Sequence, residues 1–414
     1  MKKTTAIIIG GGQAGLSMSR ELSRLNIDHS VLERGQIANA WRKDRWDSLR
    51  LLTPNWANTL SGADDLNHDP DGYMTVSELV ASFDDYAQRI NAPVQTETDV
   101  SRVSRDGLNY RLETNQGPME CRALVLATGA FVNPSVPGLA NELPKTIVQV
   151  TPDRYKRPED LPDGGVLIVG ASATGVQLAR EIQLSGRRVT LAVGDHIRLP
   201  RTYRGQDIEW WLHALGVMDE RFDTVEDLER ARRLPSPQLI GGSDPVDLNA
   251  LQDLGIEIVG RLSAIRNDEA LFSGGLANRC VSADLKMDRL LKMIDEWVDD
   301  WGLSSQIPAP DRPAFTRLPE CPRLSLDLSR GEIRTLVWAT GFRPDFSFLD
   351  LPVFDRRKRL LHNGGILHAP GLYVLGMPFQ RSRQSHQISG VGIDATELAT
   401  HLNTYLSGAR TLAA

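Results

Sequence analysis

At 414 residues the chain is longer than one hydrophobic core usually serves, which argues for two domains of ordinary size. It is 41% hydrophobic and 24% charged with mixed signs, and a net charge of -6 (pI about 5.8) leaves no electrostatic footprint for a phosphate backbone, so no nucleic acid partner is expected. The three cysteines, Cys121, Cys280 and Cys321, stand far apart without a C-x-x-C pair, which argues against a redox dithiol, an iron–sulfur cluster and a zinc site; electrons, if moved, must travel on an organic cofactor.

The N-terminal "AIIIGGGQAGLSMSRELSRLNIDHSVLER" begins with an apolar run that breaks at Gly10-Gly11-Gly12, too soon for a signal peptide, and reads as a first strand. No stretch approaches the roughly 20 apolar residues of a membrane span. A cytoplasmic protein without a membrane span is therefore expected. After Ile9 come a glycine turn and a helix with Leu16, Leu22 and Leu25 on one face, the context that a G-x-G-x-x-G match requires. Such a turn lets the backbone touch a pyrophosphate at the positive end of a helix. Twenty-three residues after Gly10, Glu33 ends the second strand, where a carboxylate accepts hydrogen bonds from an adenosine ribose.

Mid-chain, "VLIVGASATGVQLAREIQLSGRRVTLAVG" repeats this unit without a gap. Gly10 falls on Gly170, Gly12 on Ser172, Gly15 on Gly175 and Arg20-Glu21 on Arg180-Glu181. The position of Glu33 becomes Val193, and Arg198, Arg201 and Arg204 follow. Loss of the carboxylate with arginines close behind favours NADPH over NADH. The alternative is that Asp195 holds the ribose and the arginines form a solvated loop.

A second repeat supports duplication: "ALVLATGAFVNP" and "TLVWATGFRPDF" each place a strand before Ala-Thr-Gly. From Gly10 to Ala127 the chain advances 117 positions and from Gly170 to Ala339 169, so the second unit is longer by about 52 residues. The extra length must fall between Gly194 and Arg330, where helical patterning over Leu285 to Val298 suggests an added helical segment at about 200–320. Trp210, Trp211, Trp297 and Trp301 in that region read as core filling rather than as a substrate wall. The chain then gives a short strand over Gly371 to Gly376 and a last helix over Asp394 to Leu402. A return of that helix to the first domain would aim its positive end at the first site.

The fold expected is α/β, with two Rossmann-like dinucleotide-binding domains, the second nested in the first: 1–150 with 345–414, and 151–344.

Together these features resemble the two-dinucleotide-binding-domain flavoproteins. "NAWRKDRWDSLRLLTPNW", Asn39 to Trp56, is similar to the W-R-x-R-[YW]-D-S-L-x-L-x-T-P stretch of the flavin-dependent monooxygenases, the CzcO-type and auxin-forming enzymes being the nearest branches. The resemblance spans about Ala6 to Leu402. It implies FAD on Gly10, Gly12, Gln13, Gly15, Glu33, Arg34, Trp41 and Arg42, with Leu49, Leu52 and Thr53 near the isoalloxazine and Val100 at the adenine. Ala127, Thr128 and Gly129 would close over the pyrophosphate. It implies NADPH on Gly170, Ser172, Ala173, Thr174, Gly175 and the arginines Arg198 and Arg201, with Thr340, Gly341 and Gly376 also at the cofactors.

Two departures from the family pattern matter. The linker fingerprint F-x-G-x-x-x-H is replaced, with Leu143, Lys145 and Gln149 in its places, and Leu52 stands where amine- and sulfide-oxidising members have asparagine. Asn55 is the candidate to supply the missing amide, or else a turn residue after Pro54. The activity implied is oxygenation of a small organic substrate by molecular oxygen through an FAD C4a-peroxide after hydride transfer from NADPH. Two alternatives stay open: an NADPH-dependent oxidase or reductase without oxygen insertion, and a non-catalytic redox-sensing flavoprotein. His386 and His196 are the histidines nearest to candidates, and a homodimer is left open.

Overall fold

The computed structural model describes residues 1–63 and 69–411. Strand β1 (Lys2–Ile9) carries the buried run Ala6, Ile7 and Ile8, and α1 (Gln13–Arg24) crosses back over it with Ala14, Leu16, Met18 and Leu22 turned inward. Apolar residues at helical spacing leave that helix one face to bury, and the sheet supplies the surface. Next come β2 (His29–Leu32), α2 (Asn39–Lys43) and α3 (Val76–Arg89). Helix α3 starts at a capping box in which the Glu78 amide donates to Thr75 Oγ1 and the Thr75 amide to Glu78 Oε2. The unit closes with β3 (Val94–Gln95), the hairpin β4 (Val100–Asp106) and β5 (Asn109–Thr114), and β6 (Met119–Leu126). Strands β3, β2, β1 and β6 lie side by side in that order and in parallel.

The chain continues through β7 (Asn133–Pro134) and β8 (Val148–Val150) into β9 (Gly165–Val169), α4 (Ala173–Leu184) and β10 (Val189–Val193). A small hairpin of β11 (Thr202–Tyr203) and β12 (Gln206–Asp207) leads to α5 (Ile208–Ala214), α6 (Leu228–Ala231) and α7 (Leu248–Asp253). Then follow β13 (Glu257–Gly260), β14 (Leu262–Arg266), β15 (Glu269–Phe272), α8 (Leu276–Asp300), β16 (Ser325–Asp327) and β17 (Ile333–Trp338). Strand order β13-β10-β9-β17 repeats β3-β2-β1-β6, and β8 completes the second sheet although it lies inside the expected first segment.

The last part returns to the first sheet. After β18 (Phe342–Arg343) come β19 (His362–Asn363), β20 (Ile366–Leu367) and β21 (Leu372–Val374), the last parallel to β6, and α9 (Val391–Thr411) packs on α1. The second unit is thus nested in the first. The two crossings meet: β7 and β18, each just after an Ala-Thr-Gly step, pair antiparallel.

The expectation of an insertion at about 200–320 is corrected. The loop between β10 and β13 is about as long as that between β2 and β3, and β13 takes the place of β3. The extra length is residues 273–324, between β15 and β16 of a three-stranded antiparallel meander, and α8 is its helix. A meander tolerates this because its antiparallel strands can be joined by a connection of any length without disturbing their pairing.

Candidate functional site

The two glycine turns are built alike. Gly10 and Gly170 both have φ +112°, and a Cβ on either would lie 2.3 Å from the carbonyl oxygen of Ala127 or Ala339. Only glycine fits there. At Gly15 and Gly175 a Cβ would lie 1.8 Å from the oxygen of Gly10 or Gly170, so these glycines serve the close approach of helix and turn. The Gly10 amide donates to Leu32 O at 2.8 Å and the Gly170 amide to Ala192 O at 3.0 Å, which makes Glu33 and Val193 equivalent positions in space. Glu33 is buried; its Oε2 accepts from the Gly11 amide at 2.7 Å and its Oε1 from the Gly35 amide at 3.0 Å. Val193 is fully buried in the sheet.

A cavity of about 2120 Å³ opens from the first turn. Gly10, Gly12, Gln13, Glu33 and Arg34 line it, as do Trp41, Leu52, Thr53 and Val100. Ala127, Thr128, Gly129, Gly376 and part of Arg198 complete the expected set at its wall. Gly12 leaves open space where a Cβ would stand. Seven buried polar atoms on cavity-lining residues have no hydrogen-bond partner among the described residues: Asn39 Oδ1, Thr128 Oγ1, His196 Nε2, Arg279 Nε, Arg383 Nε, His386 Nδ1 and Gln387 Oε1. Buried polar groups are normally satisfied. An open glycine turn, a ribose-type carboxylate and spare donors and acceptors together fit a flavin dinucleotide. The second turn has the same cradle and fits a second dinucleotide, although Gly170, Ser172, Ala173, Thr174 and Gly175 lie outside the cavity wall.

Several expected residues are engaged elsewhere. Arg42 pairs with Asp84 on α3 and donates to Ile37 O, away from the cavity. Leu49 is buried in the core of the second unit beside Trp46 and Val176. Thr340 Oγ1 donates to Ser135 O and Gly341 O accepts from the Ser135 amide, so both belong to the crossing between units. Asn55 does not supply a free amide: its Nδ2 donates to Asp69 O at 2.8 Å and its Oδ1 accepts from the Met74 amide at 2.9 Å, outside the cavity. It is the turn residue of the alternative reading. Asn58 lines the cavity instead, but both ends of its amide are bonded to Thr53 and Pro54. In the linker, Gln149 joins Ala140 O to the Trp338 indole, a structural task.

The arginines after β10 are also occupied. Arg198 donates to Asp247 at 2.6 and 2.9 Å and to Asp284 at 2.7 Å, with its side chain almost fully buried. Arg201 binds Asp207 and Leu52 O, and Arg204 binds Asp295 and Pro308 O. They are neither a solvated loop nor free to receive a 2′-phosphate; they tie α7, α8 and the β11–β12 hairpin together. Asp284 lies 86 positions beyond Arg198, so no local signal in the sequence announces the pairing.

Two cavity residues were not legible as such. Arg45 stacks over the Trp41 ring at 4.9 Å, and burial pulls its pKa down. Arg279 reaches Asp195 from α8, a contact made only by the fold. His386 lies in the wall opposite Phe131, and burial lowers its pKa to about 4, so it is neutral near pH 7. Trp210 and Trp211 of α5, Trp297 of α8 and Trp301 at its C-terminal end form a chain of ring contacts at 4.9 to 5.8 Å outside the cavity wall, with Trp211 buried and Trp210 and Trp301 exposed. Among the described residues no helix is long and apolar enough to cross a membrane, and no group of metal-ligating side chains is found.

Residues 7–226 match the pyridine nucleotide-disulphide oxidoreductase family. An uncharacterized CzcO-like oxidoreductase of Geobacillus kaustophilus is 30% identical over 399 residues, covering 95% of this chain and 96% of that protein. The indole-3-pyruvate monooxygenase YUCCA6 of Arabidopsis thaliana is 29% identical over 213 residues, 49% of this chain and 51% of that one. A solved flavin-containing monooxygenase from Stenotrophomonas maltophilia has the same fold, with a TM-score of 0.67, 20% identity and coverage of 98% and 100%. With a glycine cradle in each half and an end-to-end match to a CzcO-like relative, the chain belongs to the pyridine nucleotide-disulphide oxidoreductase family, among its CzcO-like oxidoreductases.

Proposed function

We propose that this protein is an NADPH- and oxygen-dependent flavoprotein monooxygenase, with FAD in the first unit, NADPH visiting the second and a small organic substrate in the shared cavity. The observation that supports it most directly is the pair of equivalent glycine turns that part at the end of the second strand, Glu33 against Val193. One unit keeps a carboxylate for an adenosine ribose and the other does not. When bound, FAD would accept the hydride of NADPH and deliver the electrons to oxygen, one atom of which enters the substrate.

The chain's own residues supply binding and exclusion of water. The α1 N-terminus and the Gly10 to Gln13 backbone would face the pyrophosphate, and Glu33 would anchor the ribose. Leu51, Leu52, Phe131 and Ile388 form an apolar wall beyond them, where a dry cavity strengthens every polar contact. Neutral His386, with one ring nitrogen unpartnered, offers that wall a hydrogen bond without a charge.

A second reading, an NADPH oxidase without oxygen insertion, is favoured by one observation: neither Asn55 nor Asn58 presents a free amide beside Leu52. The deciding experiment measures hydrogen peroxide released per NADPH consumed across a panel of amines, sulfides and ketones. Oxygenated product with suppressed peroxide is expected for at least one class. Complete conversion of NADPH oxidation to peroxide with every compound would transfer the assignment to the oxidase.

A further inference from the structure

We propose that Arg279 of α8 is the residue that selects a nicotinamide dinucleotide carrying a 2′-phosphate, in place of the arginines that follow β10. The inference rests on reading the second unit as the nicotinamide site. It places a specificity determinant in the 273–324 segment, which has no counterpart in the first unit.

The argument begins with equivalence. Because the Gly10 and Gly170 amides bond to matching positions, the adenosine end of a dinucleotide on the second cradle falls at the end of β10, at Val193, Gly194 and Asp195. Asp195 stands at this place, and the guanidinium that meets it comes from Arg279. Both residues line the cavity. Arg198, Arg201 and Arg204, though closer in sequence, are committed to Asp247, Asp284, Asp207 and Asp295.

Arg279 is held differently. Its only ion-pair partner among the described residues is Asp195, whose side chain is 80% exposed, and its Nε is buried without a partner. An exposed carboxylate can swing into water at small cost, because exposed ion pairs contribute little. The released guanidinium then offers a planar fork of donors to a phosphate, a better match than a carboxylate because of the greater charge. Ser282 and Lys286 follow Arg279 at three and seven positions along α8, one and two turns further on the same face, and line the cavity too. Lys286 has no ion-pair partner among the described residues, which leaves a second cation for the same anion.

Asp195 therefore competes with the 2′-phosphate for Arg279. With NAD+ the Asp195–Arg279 pair stays closed and no group is displaced. This gives opposite signs to the two substitutions.

The test is isothermal titration of the FAD-loaded protein with NADP+ and, separately, with NAD+. Arg279→Gln is expected to weaken NADP+ about tenfold while NAD+ changes by less than about twofold, the loss of one charge-assisted contact. Arg279→Lys should recover part of that loss, and Asp195→Asn should tighten NADP+ alone. Equal weakening of both nucleotides by Arg279→Gln, or no weakening of either, overturns the assignment while leaving the nicotinamide site intact. Failure of the unsubstituted protein to bind either nucleotide overturns the assignment together with the reading on which it stands.

Discussion

A methyl group on Gly170 would stand 2.3 Å from Ala339 O at a φ of +112°, so alanine there forces the backbone to move. The local strain is roughly 1–3 kcal/mol. Gly170→Ala is expected to keep its flavin, since the first cradle is untouched, and to bind NADP+ more weakly; the flavin-to-protein absorbance ratio and a nucleotide titration check this. Loss of flavin would mean that the two cradles do not act separately. Arg198→Ala tests the other kind of residue. It leaves the carboxylates of Asp247 and Asp284 without their cation, and breaking a buried pair in this way costs about 3–5 kcal/mol. A large fall in the urea midpoint is expected, with the ratio of NADP+ to NAD+ affinity unchanged. A changed ratio in a still-folded Arg198→Ala would return that arginine to the nucleotide site.

At the level of elements, the duplication was legible because its signals are local. A glycine turn, a β-branched strand and a one-faced helix each fit in a dozen residues, and the second copy aligned without a gap. The excess length of the second unit was legible too, but not its place. Strands β14, β15 and β16 are three to five residues long, too short for alternation to identify them, so the insertion could be located only between distant landmarks. The partners of the arginines escaped because Asp284 and Asp295 sit on α8 and reach back across the chain. Asn55 escaped because the carbonyl of Asp69 and the amide of Met74 claim its side chain. The reading of the tryptophans as core holds for Trp211, with Trp297 half-buried against it, whereas Trp210 and Trp301 are exposed. Trp211 is fully buried, gives its indole N–H to Tyr203 O at 2.7 Å, and packs α5 against Met287, Leu291 and Ile294 of α8. Trp211→Ala should lower stability by about 3–5 kcal/mol, as large-to-small core changes do. Since the ring lies outside the cavity wall, the flavin content of the folded fraction should not change. A flavin-free but equally stable variant would mean that the cluster serves the cavity after all.

For the whole molecule, the buried titratable groups make stability depend on pH, with competing signs. Burial lowers His386 and His362 to about 4 from the ordinary value of 6.5, so between these limits the unfolded chain binds their protons first. Their contribution is present above pH 6.5 and is lost as the pH falls towards 4. Asp394, buried near the start of α9, is raised to about 6 from 3.8, so the folded state binds its proton first and gains as the pH falls through the same window. Two histidines outweigh one carboxyl, and one unit of pKa corresponds to about 1.4 kcal/mol. The urea midpoint of the unsubstituted protein should therefore fall from pH 6.5 to 4.5. Removing the opposing group, in Asp394→Asn, should steepen that fall, whereas His386→Gln should flatten it. If the His386→Gln midpoint tracks the unsubstituted protein at every pH, His386 does not change its protonation on folding, and its neutrality in the cavity wall loses its support.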